Sequence, residues 1–132
     1  MTNRIYNADL VLNGRRIPFA IRTIEEIFAA EKGEPDDPHR HNYFTLIWFN
    51  SGSGVHIIDY KTYPITADLL FFVNPYQVHQ VMAKGNPAGI VIQFTCEFLE
   101  KNSISRDFID DLRLFRNSDD TPPLPISNSM KS

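Results

Sequence analysis

Two histidines one residue apart, His39 and His41, open the stretch that most constrains how this chain can fold. Side chains at i and i+2 of a strand share a face, so a strand here would aim both imidazoles the same way. The run that follows, Asn42–Phe49, is rich in β-formers and ends at Ser51-Gly-Ser-Gly54, which reads as a strand and then a tight turn. A third histidine, His79, comes after a second apolar strand, Leu69–Val73, and a proline turn at Asn74-Pro75-Tyr76. Three histidines converging from two strands suggest a lined cavity.

Parity drafts its wall. If His39 and His41 point inward, so do Tyr43, Thr45, Ile47 and Phe49, while Arg40, Asn42, Phe44, Leu46 and Trp48 face the other way. Both sets carry large apolar groups, so both faces are expected to be covered, the outer one by a second sheet, a helix or another subunit. Inward imidazole, phenol and hydroxyl groups among apolar walls are what a small-molecule site needs. A bulge would invert the assignment beyond it.

The spacing also resembles the first cupin motif: Gly, five residues, His-x-His, three residues, Glu, six residues, Gly. Here Gly33, His39-Arg-His41, Thr45 and Gly52 stand at those spacings, with Thr45 in place of the Glu. In the second motif Asp68, Asn74, Tyr76 and Ala83 replace Gly, Pro, Gly and Asn, and His79 alone matches. The wider phrase, from Pro38-His-Arg-His through Phe72-Val-Asn-Pro-Tyr-Gln-Val-His79 and on through Ile92–Leu99, resembles the N-terminal sensor domain of AraC-family transcription regulators. That resemblance implies a mainly β fold, an antiparallel cupin-like β-barrel (double-stranded β-helix) followed by one or two C-terminal helices. It implies a regulatory rather than catalytic role, a small-molecule effector, homodimers, and a helix-turn-helix domain beyond this chain.

At 132 residues the chain suits one domain with a real core. No apolar run approaches a membrane helix and no signal peptide opens it. A net charge of -3 with scattered basic residues argues against nucleic-acid binding by this segment itself. The single cysteine, Cys96, excludes an internal disulfide, suits a reducing cytoplasm, and reads as a small core residue.

In chain order, Asn13-Gly14 between two apolar segments signals a hairpin. Thr23 and Glu26 could form a capping box for a short helix over Glu25–Lys32, or Ile21–Phe28 could continue as a strand. Gly33–Pro38 reads as a loop, Tyr43–Asn50, Val55–Tyr60, Leu69–Val73 and Ile90–Cys96 as strands, Asp59–Pro64 as a turn, and Lys84–Gly89 as a flexible loop. Glu97–Lys101 and Ser105–Arg116 look helical, the second either covering the barrel or offering a partner surface. The expected division is a sensor domain over 1–116 and a linker-like tail over 117–132, from which excision from a longer regulator is the favoured reading over a natural stand-alone relative.

Three functions compete. The first is an effector-sensing domain that binds a small molecule, a sugar being one candidate, against His39, His41, Tyr43, Thr45 and His79, with no cofactor. The second is a metal-dependent cupin enzyme, a dioxygenase or isomerase, with His39, His41 and His79 as ligands, although Thr45 supplies no carboxylate. The third is an interaction module whose barrel is filled and which only dimerises. His56, with no partner at matching spacing, reads as a half-exposed strand residue.

Overall fold

The computed structural model describes residues 6–30, 39–75, 77–105, 107 and 123–126, with the backbone alone at 6–8 and 39–41. Strands β1 (Tyr6–Ala8), β2 (Val11–Leu12), β3 (Arg15–Arg16) and β4 (Phe19–Thr23) precede helix α1 (Ile24–Ala30). Then come β5 (His39–His41), β6 (Phe44–Ile58), β7 (Lys61–Pro64), β8 (Leu69–Val73) and β9 (Val78–Phe94). Helix α2 (Cys96–Lys101) and β10 (Leu124–Pro125) complete the order.

Local chemistry sets the small elements. Asn13 and Gly14 take φ of 52° and 78°, the positive values a two-residue β2–β3 turn demands. Thr23 Oγ1 accepts from the Glu26 amide at 3.2 Å, and Glu26 Oε1 accepts from the Thr23 amide at 2.8 Å. This reciprocal box starts α1, so the helix wins over a continued strand. Thr95 caps α2 with one half of such a box, its Oγ1 accepting from Phe98 N at 3.1 Å.

The two longest strands, β6 and β9, pair antiparallel along their length. Ser51–Gly54 was expected to be a tight turn and Lys84–Gly89 a flexible loop; both are instead strand, and there the ribbon bends. Register shifts fall between Phe49 and Ser51 and between Ser51 and Ser53. Gly54 and Gly89 take φ of +108° and +152°, and a Cβ on either would overlap a carbonyl oxygen of the opposite strand, Met82 or Trp48. Glycine here serves close approach, not chain reversal. The expected turn over Asp59–Pro64 shrinks to Asp59-Tyr60, both at positive φ, and Lys61–Pro64 folds back as β7.

Bending creates two layers. In one, β4, the second half of β9, the first half of β6, β8 and β10 lie side by side. In the other, β1, β5, the first half of β9, the second half of β6 and β7 do the same. All pairings are antiparallel except β1 with β5, and among the described residues the path from β1 to β10 stays open. Among the described residues the fold is thus mainly antiparallel β with two short helices, α1 and α2, and a folded sheet that does not close into a barrel.

Parity held along β6. Ile47 and Phe49 join Ile58, Phe71, Val73 and Val91 in the core between the layers. Phe44, with Leu46 beside it, belongs to a second cluster on the outer face, closed by Phe98 and Leu99 of α2. Phe19 stacks on Phe98 at 4.8 Å and Phe44 on Phe94 at 5.1 Å. Cys96, expected in the core, is exposed at the start of α2. Within the expected tail, Leu124 and Pro125 pair with Leu70 and Leu69. The predicted loop at 33–38 and, apart from Ser105 and Asp107, the predicted helix at 105–116 lie outside the described residues.

Candidate functional site

Among the described residues, six polar side chains are buried: Thr45, His56, Asn74, Gln77, His79 and Gln93. Sheet register gathers them toward one end of the sandwich. In the first layer Thr45 lies between Val73 and Gln93. The turn from Asn74 to Gln77 then carries the chain into the other layer, where His79 pairs with Ile58 on one side and with His39 on the other.

That turn is held by a short network. Asp59 Oδ1 accepts from Val78 N at 3.0 Å and Oδ2 from Gln77 Nε2 at 2.9 Å, while Gln77 Oε1 accepts from Asn74 N at 2.8 Å. The tip of the β6–β7 hairpin thereby fixes where β9 begins, and with it His79.

His56, expected to be half-exposed, is fully buried and hydrogen-bonded to His79, Nε2 to Nδ1 at 3.0 Å. It pairs with Val81 two residues beyond the Ile58–His79 pair, so strand alternation places both rings on the inner face. The His56 ring also meets Phe71 of the opposite layer edge-on, with centroids 4.6 Å apart. One ring donates and the other accepts, so each spends a nitrogen on its partner.

Of the residues singled out from sequence, Tyr43, Thr45 and His79 are buried, and His39 is brought beside His79 by backbone pairing. His41 continues β5 one residue past the Arg40–Val78 pair. Sequence reasoning missed His56 and Gln93. Both were within reach of parity: His56 shares a strand face with Gly54 and Ile58, and Gln93 with Val91. Gln93 is 9% exposed, and among the described residues its Oε1 finds no hydrogen-bond donor. A buried amide oxygen left so costs about 1–3 kcal/mol, a penalty that a donor from a bound molecule would remove.

A β-sandwich with an apolar core and polar groups collected at one end is an architecture that suits small-molecule binding. The model of the AraC-like ligand binding domain family matches residues 26–124, and the chain belongs to that family. The match spans β5 to β9, α2 and the Leu124 end of the returning strand. Family membership makes it a ligand-binding domain of the regulatory kind. A comparison with curated proteins returned no match. No helix among the described residues is long and apolar enough to cross a membrane.

Proposed function

We propose that this chain is the effector-sensing domain of an AraC-type transcription regulator, with a cupin-like sandwich enclosing a small polar molecule. The effector binds against His39, His41, Tyr43, Thr45 and His79, to which His56 and Gln93 are added. The observation that carries this reading is the Gln93 amide oxygen, buried without a donor beside Thr45 at the polar end of the sandwich. A neutral hydroxyl-bearing molecule, such as a sugar, would supply that donor and share the imidazole nitrogens. Binding selects one arrangement of the sandwich over another by about 1–3 kcal/mol, and a DNA-binding domain beyond this chain reads the difference. The sensor reaches past the expected boundary at 116 to β10, which pairs with β8 and closes the family match, the protein works as a cytoplasmic homodimer, and this segment does not itself read DNA.

A thermal-shift screen of the chain against sugars and small acids tests the reading, since a ligand of the folded state raises Tm. A hit should be lost on Thr45→Leu, which puts a larger, apolar side chain beside Gln93, while the fold persists. Full response in a regulator carrying Thr45→Leu would place the effector elsewhere. Stoichiometric metal in the purified protein, removed by His39→Ala or His79→Ala, would instead support a cupin enzyme.

A further inference from the structure

A pocket lies away from the buried histidines. Strand β4 pairs only with β9 among the described residues, so its other edge is open. Along that edge runs a groove of about 590 Å³, walled by the β2–β3 hairpin on one side and α1 on the other. Its volume is within the range of small-molecule sites. The hairpin is tied in place by Arg22 Nη2 donating to Val11 O at 3.2 Å and by Ile17 N donating to Leu10 O at 2.9 Å.

The walls are apolar: Leu12, Ile17, Phe19 and Ile27 line the groove. Ile21, also in the lining, is 61% exposed, a large aliphatic side chain left to solvent. Two charges of opposite sign, Arg22 and Glu26, join them, one just before and one just after the Thr23 cap. They form no ion pair with each other, nor with any other ionic group among the described residues. Arg22 spends one of its five N–H donors on Val11. Glu26 spends Oε1 on the helix cap, which leaves Oε2 for a ligand.

An apolar monoanion would meet Glu26 here, and an apolar cation would meet Arg22. A zwitterion matches both. We propose that this groove is a second ligand site, taking a free α-amino acid with a large apolar side chain. Its carboxylate would lie on the Arg22 guanidinium and its ammonium on Glu26, with the side chain along Leu12, Ile17 and Ile27.

Calorimetry and amide NMR of the 132-residue chain with leucine, leucinamide, N-acetyl-leucine and glycine test this. Leucine should bind at least about tenfold tighter than each analogue, the scale of one charge-assisted bond or one aliphatic side chain lost. The shifted amides should be those of Leu12, Ile21 and Ile27, with Thr45 and Gln93 unmoved, which separates this site from the one between the sheets. Arg22→Gln should erase the preference over leucinamide alone, and Glu26→Gln the preference over N-acetyl-leucine alone, glutamine keeping the helix cap. If either variant fails to fold, the four-ligand comparison on the unsubstituted chain decides. No saturable leucine binding, analogues as tight as leucine, or shifts confined to Thr45 and Gln93 would overturn the proposal.

Discussion

The buried pair of His56 and His79 allows a sharp test of how the interior is held. Replacing either ring by leucine removes the 3.0 Å hydrogen bond and turns the surviving nitrogen toward a methyl group. The lost bond costs about 1 kcal/mol and the buried polar atom facing apolar surface about 1–2 more, so each single change should cost about 2–3 kcal/mol. Replacing both removes the polar atoms together, and what remains is repacking and the edge contact of His56 with Phe71. The double variant should therefore cost about 1–2 kcal/mol, against the roughly 5 that simple addition gives. Urea unfolding followed through the single tryptophan, Trp48, measures all four corners of the cycle. At about 4 °C per kcal/mol for a chain of this length, the single variants should also melt about 10 °C low. Costs that add to within about 0.5 kcal/mol would mean that the two rings are held independently, and the reasoning would be wrong.

Other consequences are more local. Thr23→Ala breaks one half of the capping box and should cost about 0.5–2 kcal/mol, with faster hydrogen exchange confined to the first turn of α1. Gly54→Val asks a β-branched residue to take φ of +108° while its Cβ overlaps the Met82 carbonyl, and the variant should fail to accumulate as folded protein. Gly14→Ala, at φ +78° with open space around it, should cost only about 1–2 kcal/mol by denaturant titration. The Glu25 carboxylate accepts from the Gly89 amide, which holds its pKa below the usual 4.5. Its stabilising effect is complete above that value and fades as pH falls through the lowered one, so Glu25→Gln should flatten stability against pH in the acid range alone.

Much of this architecture could be read before any coordinates. Alternation along Tyr43–Phe49 sorts Thr45, Ile47 and Phe49 from Phe44, Leu46 and Trp48, because strand side chains have no choice but to alternate. Asn13-Gly14 and the Thr23–Glu26 box are equally self-contained: the interaction that makes each element lies within four residues of chain. Tertiary structure decided the rest. A glycine-rich stretch such as Ser51–Gly54 permits either a reversal or a bend, and only the second long strand, pressed so close that no Cβ fits at Gly54 or Gly89, selects the bend. His56 reads as half-exposed from sequence because its partner lies 23 positions away in the chain. Thr45 and His79 become neighbours of one interior through the Asp59–Gln77 lock on the β8–β9 turn, and the groove beside β4 exists because three separate elements meet there. Local pattern dictates which face a side chain takes, since that depends on covalent geometry alone. What the side chain then meets depends on long-range pairing, which no short stretch of sequence contains.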